Sequence, residues 1–477
     1  MKKFYLFMTA CVTSVCLCGT IAQTYVTPGG SLQDSIITAE SGTTVYVAAG
    51  TYVGNYIMKD GVNISGSWND DFTVQDTVLY ASVLDGNDAG TVVNFPACEI
   101  TTTMKGFVIR NGKATNGGGV VLSKNCILDY CLVQNCLADN GAGGGVFDDN
   151  STEPKAIVRN CMLYNNRAKQ GAGFKMRGCI EYSVIANNTT TTGAGGGGHS
   201  QGGIVRNCVI KNNTSGENAG GLRLYGSCVA VNCLIMNNVS TGQAGGISCE
   251  SKVSDVVGCT IVGNNVGDGK SGCGIYVKNT LTPAGKFANC IVWGNKKYGI
   301  STTDQIYYVS LFNSRFNNAV YNQTTGSGSI ALAVDNDDVE GPRFTDPVNG
   351  DYTLRDSSVC VNAGLNTCIT DYDIIADLNG QNRIIDTTVD IGAYENQTIP
   401  EDVPTALIGT MNPAYKVIGE KCAISIMGAQ GQTVSIYSIM GTILLKTVAK
   451  QEQLIVSAKQ GVYIVRVGNQ LGKIIVK

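Results

Sequence analysis

The stretch NCVIKNNTSGENAGG, residues 207–221, decides the fold, because it returns almost at once as NCLIMNNVSTGQAGG, residues 232–246. Each copy places a short apolar segment between asparagines and then runs into paired glycines. The apolar segment recurs along the chain as CLVQNC at Cys131, CMLYNN at Cys161, SVIANN at Ser183, CVIKNN at Cys208, CLIMNN at Cys233, CTIVGNN at Cys259 and CIVWGN at Cys290. A self-similar period of roughly 20–50 residues indicates a solenoid, a propeller or an array.

The repeat predicts a parallel β-helix. Its units are too short for a four-stranded propeller blade, they contain no helical pattern, and they lack the regularly placed leucines of leucine-rich repeats. What remains is two or three short strands per unit, each hydrogen-bonded to its copy one coil along, about 4.8 Å away. We therefore predict an all-β chain whose residues 23–396 form a right-handed parallel β-helix of roughly 10–14 coils. The predicted structural columns contain Cys131, Cys161, Cys208, Cys233, Cys259 and Cys290, and Asn166, Asn188, Asn213, Asn238 and Asn265.

The chain has 19 cysteines, and their placement indicates core stacks of free thiols rather than a disulfide framework. Buried cysteine behaves as a small hydrophobe. The best disulfide candidate is the pair Cys360 and Cys368 in CVNAGLNTC. A zinc site is excluded, because the chain has one histidine, His199, and no paired C-x-x-C units.

Composition limits the classes of function. The formal net charge of −3 without a basic run argues against a nucleic-acid partner. Residues 1–22 begin with Lys2 and Lys3, continue with an apolar run and end in small residues, which predicts a secretory signal peptide. A single membrane anchor is the alternative, although the run is short of the roughly 20 apolar residues that a span requires. We expect an extracellular or cell-surface monomer.

Two parts of the β-helix carry a family resemblance. The phrases TVYVAAGTY, from Thr44, and KDGVNISG, from Lys59, resemble the opening coils of secreted proteins of the pectin-lyase-like superfamily. The segments GPRFTDPVNGDYTLRDSSVCVNAG, from Gly341, and DLNGQNRIIDTTVDIGAYE, from Asp377, resemble the closing module of the bacterial choice-of-anchor Q family. That family has an aspartate where this chain has Asn362, so a charge or metal role at that position is not carried over.

The C-terminal part has a different sequence pattern. Residues 397–408 form a polar, proline-containing linker, and residues 409–477 contain alternating strands with glycine turns, which predicts a small antiparallel Ig-like β-sandwich. This ending resembles the type A sorting domain of the type IX secretion system, with matches that include Gly461, Tyr463, Lys473 and Lys477. The resemblance implies the type IX machinery as a partner and attachment to surface glycolipid or release. The alternative is an ordinary Ig-like accessory domain.

Candidate catalytic residues are few. Asp148 and Asp149 follow a predicted core strand, and Arg177 and Arg206 fall in nearby coils at different offsets. A hydrolase requires paired carboxylates, and a lyase requires a calcium site with a basic residue. No cofactor is required by the sequence; calcium is the one candidate, at Asp335, Asp337 and Asp338 in VDNDDVEG, although the spacing is not that of an EF-hand.

These observations predict a binding protein more readily than an enzyme. The expected function is binding of a glycan, or of a host or matrix surface, along one exposed face of the solenoid. The first alternative is a polysaccharide lyase or glycoside hydrolase of the pectin-lyase-like superfamily, and the second is a structural spacer. An enzyme would need a carboxylate or Asp–Arg constellation on one face, a binding protein would need exposed aromatic residues or a charged strip, and a spacer would need neither.

Overall fold

A computed structural model describes residues 23–250, 254–278, 286–297, 306–308, 315–317, 320–321, 324–326, 341–385, 387–398, 415–420, 423–438, 443–458, 461–468 and 470–476. The chain divides into two units, residues 1–397 and residues 398–477. The predicted signal peptide, the calcium candidates Asp335, Asp337 and Asp338, most of the linker, and Lys477 lie outside the described residues. No helix in the described part is long and apolar enough to cross a membrane.

The first unit is a parallel β-helix built from four parallel sheets, which confirms the predicted solenoid. Sheet A contains Thr24–Val26, Thr44–Ala48, Asn63–Trp68, Thr102–Lys105, Cys126–Asp129, Ile157–Arg159, Cys179–Glu181, Ile204–Arg206, Val229–Val231, Asp255–Val257, Lys286–Ala288 and Arg315–Asn317. Sheet B contains Gly50–Val53, Ser82–Asp85, Phe107–Arg110, Leu132–Gln134, Met162–Tyr164, Val184–Ala186, Val209–Lys211, Leu234–Met236, Thr260–Val262, Ile291–Trp293 and Val320–Tyr321.

Sheet C adds a third strand to the coils, and sheet D adds a fourth strand in the coils from Lys113 to Lys297. Sheet C contains Tyr56–Ile57, Val93–Asn94, Val120–Val121, Val146–Phe147, Phe174–Met176, Gly198–Gln201, Leu222–Tyr225, Ile247–Glu250, Ile275–Lys278, Ile306–Tyr308 and Thr324–Gly326. Sheet D contains Lys113–Ala114, Leu137–Ala142, Arg167–Gln170, Thr189–Thr190, Thr214–Ser215, Val239–Ser240, Asn265–Val266 and Lys296–Lys297. In each of these coils the chain runs through sheets A, B, D and C in that order.

Strand alternation builds the core. In the coil that begins at Ile204, the side chains of Val205, Ile210, Leu222 and Leu224 are buried in one apolar cluster, while their neighbours in the strands point outward. At the N-terminal end of the solenoid, the helix Leu32–Thr38 buries Leu32 and Ile36 in the same cluster, and Ser31 caps the helix by accepting a hydrogen bond from the Asp34 N–H. This helix closes the end of the stack, which terminal repeats of a solenoid must do.

The predicted cysteine column lies inside this core. All six of its cysteines are buried free thiols, in register from Cys131 to Cys290 with Ser183 in the one coil that lacks cysteine. The thiols donate to main-chain carbonyls; that of Cys161, for example, contacts the oxygen of Arg159 at 3.1 Å. Burial raises the pKa of the Cys161 and Cys233 thiols well above its ordinary value, which makes them poor nucleophiles.

The predicted disulfide between Cys360 and Cys368 is wrong. Both residues are buried free thiols. They belong to different apolar clusters, because Cys360 packs with residues over sheet B such as Ile291, whereas Cys368 packs with residues over sheet A such as Val257. The residues between them carry the chain from the face over sheet B to the face over sheet A, so the two thiols lie apart.

The asparagine column forms a continuous hydrogen-bonded ladder in the interior. In each step the side-chain oxygen accepts from the main-chain N–H and the Nδ2 of the preceding asparagine, at 2.9–3.1 Å, from Asn166 through Asn188, Asn213 and Asn238. The prediction for the next coil is wrong by one residue, because Asn264, not Asn265, continues the ladder. Counting five residues from Cys259 reaches Asn264, and Asn265 begins the next strand instead.

Residues 341–385 and 387–397 form a closing module that packs outside the coils, although the sequence predicted that the solenoid extends to residue 396. The module contains the antiparallel strands Phe344–Asp346 and Asp351–Leu354 and the short helix Thr367–Asp371. Its side chains cover the outer face of sheet B in the C-terminal coils, where Phe344 and Tyr352 pack with Leu234 and Ile291. The closing module therefore covers the outer face of sheet B in the C-terminal coils of the solenoid.

A buried charged cluster holds the closing module together. Arg383 is 2% exposed and contacts the Glu395 carboxylate at 3.4 Å, while its guanidinium donates to the Gly392 oxygen at 2.7 Å. Asp377 and Asp390 accept hydrogen bonds from main-chain N–H groups. These four ionisable residues belong to the sequence motif that resembles the choice-of-anchor Q module, and their observed contacts are structural.

The second unit is a small antiparallel sandwich, as predicted. One sheet contains Lys416–Glu420, Ala423–Met427 and Gln453–Ser457, and the other contains Ile443–Val448, Thr433–Ser438, Gly461–Val467 and Gln470–Val476. The inward residues of the two sheets, among them Ile424, Val434 and Val465, form one apolar core. Of the predicted sorting-signal residues, Gly461 and Lys473 lie in these strands, and Tyr463 packs against the core.

Candidate functional site

The outer face of sheet C carries a charged strip. The strand register aligns Phe147, Lys175, His199, Arg223, Ser248 and Tyr276 in one outward column. The next outward column contains Gln201, Tyr225 and Glu250, with Arg177 following the strand Phe174–Met176. Arg223 contacts Glu250 at 2.8 Å and lies over the Tyr225 ring, 5.1 Å from its centroid. The charges that looked scattered in sequence therefore share one face.

Three of the four predicted catalytic candidates meet at one edge of this strip. Arg177 contacts Asp149 at 3.0 Å across one coil. Asp148 is buried and accepts from the main-chain N–H groups of Arg177 and Gly178 at 3.3 and 3.1 Å, and from that of Asn150 at 2.8 Å. Burial raises the pKa of Asp148 above its ordinary value. The Asp148 carboxylate thus joins its own turn to the turn at Arg177 and Gly178 in the next coil, and it is shielded from solvent.

The fourth candidate, Arg206, lies in a different sheet. It ends the sheet A strand Ile204–Arg206, and its guanidinium donates to the Asp373 main-chain oxygen at 2.9 Å. Arg206 therefore anchors the closing module. Arg206 does not lie with Asp148, Asp149 and Arg177, because residues in successive coils share a face only when they occupy the same sheet.

A second surface feature, not predicted from sequence, lies at the corner between sheets A and B. The residue at this corner has a positive φ in successive coils: Gly106, Tyr130, Asn160, Tyr182, Asn207, Asn232, Gly258 and Asn289, with φ from 48° to 77°. Glycine and asparagine tolerate this left-handed conformation, but a residue with a bulky side chain is strained in it. The tyrosines Tyr130 and Tyr182 are the two exceptions, and they are 53% and 51% exposed.

The two tyrosines flank a cleft of about 330 Å³. Its floor on sheet B is apolar and contains Val108, Leu132, Met162 and Val184. A second, more open cavity on the sheet A side of the same two rings is polar and is lined by Asp129, Arg159, Asn160 and Glu181. We call the two adjoining cavities together the tyrosine cleft. The signal that would have revealed it is the residue immediately before the cysteine slot, where tyrosine replaces asparagine in two of the units.

The polar side of the tyrosine cleft is preorganised. Arg159 contacts the Asp129 carboxylate at 3.1 Å, and the Asn160 amide donates to the same carboxylate at 2.9 Å. Lys105 lies over the Tyr130 ring, 5.6 Å from its centroid. Asp129 is buried and has two partners, whereas Arg159 keeps 39% of its side-chain surface exposed. The cleft therefore presents hydrogen-bonding groups beside flat apolar surface.

No metal site is present among the described residues, since no group of three or more His, Cys, Asp or Glu side chains there has the arrangement to hold an ion. The predicted calcium candidates fall outside that part of the chain.

Comparison with known proteins adds little to this geometry. A model for a domain of unknown function (DUF6383) matches residues 405–476. No curated protein matches the chain. The chain resembles the crystal structure of pectate lyase Pel9A, with a TM-score of 0.48 and 12% identity over 79% of this chain and 98% of that one.

Two further solved structures are similar to the chain. The tailspike protein gp49 of Acinetobacter baumannii bacteriophage Fri1, a capsular polysaccharide depolymerase, gives a TM-score of 0.34 and 11% identity over 96% of this chain and 82% of that one. The pectin methylesterase of Aspergillus niger gives 0.28 and 13% over 66% and 92%. At these values none of the resemblances bears on function, and the assignment of the fold rests on the strand register.

Proposed function

We propose that the β-helix binds a glycan in the tyrosine cleft. The proposal rests on two positions of the corner column, where tyrosine stands in place of asparagine or glycine although the backbone is in the left-handed conformation. A non-glycine residue in this conformation costs roughly 1 kcal/mol or more, and such strain is concentrated at functional sites. Packing in the core does not offset this strain, because both rings are about half exposed.

The spacing and chemistry of the cleft suit a sugar chain. Tyr130 and Tyr182 are two coils apart, which places their Cα atoms about 9.6 Å apart along the solenoid. Sugars combine an apolar C–H face with a rim of hydroxyl groups. The exposed rings and Met162 offer apolar surface for that face, while Arg159, Asn160 and Glu181 offer donors and acceptors for the hydroxyl groups.

Binding is better supported than hydrolysis. Asp129 and Glu181 both line the cleft, but Asp129 already accepts from Arg159 and Asn160. A hydrolase needs one carboxyl group that is free to hold a proton beside a second that attacks or activates water. On the charged strip, Asp149 and Glu250 lie in coils four apart, about 19 Å along the solenoid, which is too far for such a pair.

The test uses residues 23–396 and the double variant Tyr130→Asn/Tyr182→Asn. Asparagine is the usual residue of this column, so the variant removes both rings without creating backbone strain. We expect affinity for the preferred member of a panel of neutral and acidic polysaccharides, measured by affinity electrophoresis and calorimetry, to fall at least tenfold. The melting temperature should stay the same or rise, because the strain is relieved.

The matched control is Tyr25→Ser, since Tyr25 is 50% exposed at the N-terminal end of sheet A, far along the solenoid from the cleft. This variant should bind as the parent does. Unchanged affinity in the double variant would refute the cleft as the site. Release of shortened chains by the parent protein would replace binding with cleavage and direct attention to Asp129 and Glu181.

We also propose that the second unit is a type IX sorting domain and that residues 1–22 are a signal peptide, which would place the β-helix outside the cell. The support is the resemblance of residues 409–477, including Tyr463 and Gly461, and the sandwich fold of that segment. Expression in a bacterium with a type IX system, with and without residues 409–477, tests this proposal. Equal export of both forms would refute it.

A further inference from the structure

His199 occupies an unusual place on the charged strip. It is the only histidine in the chain, and it projects from the outer face of sheet C, yet it is 4% exposed. Glycine loops approach it closely: a Cβ atom added to Gly171 or Gly195 would lie 3.0 or 3.4 Å from the His199 Cβ. Tyr225 packs edge-on against the imidazole, with ring centroids 6.0 Å apart.

Neither ring nitrogen of His199 has a hydrogen-bond partner. Buried polar atoms are almost always paired, and leaving one unpaired costs about 1–3 kcal/mol. A neutral imidazole needs one acceptor and one donor, and a charged one needs two acceptors. The protein supplies none of these to His199, so both ring nitrogens can bond to a ligand.

The groups around the ring define the chemistry of that partner. Lys175 precedes His199 in the outward column and Arg223 follows it, each one coil or about 4.8 Å away. Arg177 pairs with Asp149, and Arg223 pairs with Glu250. Among the described residues Lys175 forms no ion pair and lies only over the Phe147 ring. The strip therefore retains an excess of positive charge centred on the unpaired imidazole.

We propose that Lys175, His199 and Arg223 bind an oxyanion, namely a sulfate, phosphate or carboxylate group. Its oxygens would accept from the imidazole N–H and from the two cationic side chains. Three donors in one column, one coil apart, match a small anion with several acceptor oxygens. The edge of Tyr225 and the amide of Gln201, in the adjacent column, are placed to contact whatever carries the anion. This site lies on a different sheet from the tyrosine cleft and does not depend on it.

Binding should be coupled to protonation of His199. Burial, together with the positive charges of Arg223, Lys175 and Arg177, lowers the pKa of His199 to about 3, so the free protein holds it neutral. A bound anion would reverse the electrostatic part of that effect and raise the pKa. In the pH range between the free and bound pKa values one proton is taken up with the anion, so the dissociation constant should fall up to tenfold for each unit by which pH decreases.

The chain offers a direct probe, because a single histidine gives a single pair of imidazole signals. The parent protein, purified without a histidine tag, is titrated from pH 7 to pH 5 by NMR in chloride buffer and again with sodium sulfate, which carries no titrating proton in this range. We expect the His199 signals to remain those of a neutral ring in chloride and to move toward the protonated ring as sulfate is added. The other titratable side chains that face this strip are Asp149 and Glu250, which pair with Arg177 and Arg223.

The matched pair of variants is Lys175→Gln and Lys169→Gln. Both lysines lie in one coil, but Lys169 is exposed on sheet D. Lys175→Gln should weaken sulfate binding at least tenfold, and Lys169→Gln should leave it unchanged. Equal effects of the two variants would refute the site, because general attraction of anions does not distinguish them.

A second arm identifies the source of the anion. A sulfated polysaccharide and free sulfate are compared at equal sulfate concentration in the same NMR assay. A stronger shift with the polymer assigns the site to anionic groups carried on a glycan, whereas equal shifts assign it to the free anion. A His199 signal that is unmoved by both, or that titrates near its ordinary pKa in chloride alone, would overturn the proposal.

Discussion

Replacing Asn213 by alanine should be among the most damaging single changes in the solenoid. Its side-chain oxygen accepts from the Asn188 main-chain N–H at 2.9 Å and from the Asn188 amide at 3.0 Å. Its own amide donates to the Ile185 oxygen and to the Asn238 side-chain oxygen, each at 2.9 Å. The residue is fully buried, so water does not replace these bonds in the folded protein.

The magnitude follows from these four bonds. Loss of the acceptor leaves the Asn188 N–H buried and unpaired, which costs about 1–3 kcal/mol, and each of the three other bonds contributes about 0.5–1.5 kcal/mol. The Asn213→Ala variant should therefore lose about 2.5–7.5 kcal/mol of unfolding free energy. The neighbouring Asn212 is exposed and has φ of 55°, so Asn212→Gly keeps its backbone conformation and should cost less than about 0.5 kcal/mol.

Equilibrium unfolding in urea measures both variants, and hydrogen exchange of the Asn188 amide measures the local effect. Exchange is needed because a solenoid can open in part, and a single unfolding free energy then understates a local loss. The Asn188 amide should exchange at least a hundredfold faster in Asn213→Ala than in Asn212→Gly. If the two variants are equally stable and equally protected, the ladder does not hold the coils together and the reasoning is refuted.

Three further outcomes are expected. Burial raises the Glu395 pKa from about 4.5 to about 8, so the folded state holds a proton that the unfolded state releases. The unfolding free energy, measured in urea, should therefore fall as pH rises from 5 to 9. It should fall less steeply in the Glu395→Gln variant. Gly221→Ala would place a Cβ 2.7 Å from the Gly246 oxygen and should lower the unfolding free energy by about 1–3 kcal/mol; an unchanged melting curve would contradict the close stacking. Native residues 23–396 should react with a thiol reagent chiefly at Cys179, because it alone among the cysteines of that segment is not buried. Burial raises the pKa of Cys179 and of Cys136 to about 12, so exposure and not thiol acidity sets the difference; rapid labelling of the whole set would contradict this.

The solenoid could be predicted because its constraints repeat along the chain. A column such as the one through Cys208 and Cys233 is visible in sequence, since each member occupies the same place in its unit. The same logic explains the wrong prediction at Asn265: Gly263 occupies the place of the first turn asparagine, so Asn264 lies five residues after Cys259. A fixed offset from the core residue, not the identity of the turn residue, sets the register.

The closing module and the surface sites could not be predicted in this way. Arg206 meets Asp373, and Cys360 packs near Ile291, through contacts between segments that share no repeat. Arg177 and Arg223 occupy one face only because the turns between sheets have particular lengths. For the tyrosine cleft, Tyr130 was readable as a departure from asparagine, but its exposure and its backbone conformation were not.

The corner column that contains Tyr130 and Tyr182 has a wider consequence. Its members recur at a fixed rise of about 4.8 Å, and changing an exposed member leaves the core beneath it unaltered. Contacts along this line can therefore occur only at whole multiples of one coil. A polymer whose chemical repeat is close to such a multiple stays in phase with the protein over many units, and one with another repeat drifts out of phase after a few. The solenoid would thus discriminate among polymers by their period, independently of the chemistry of any single contact.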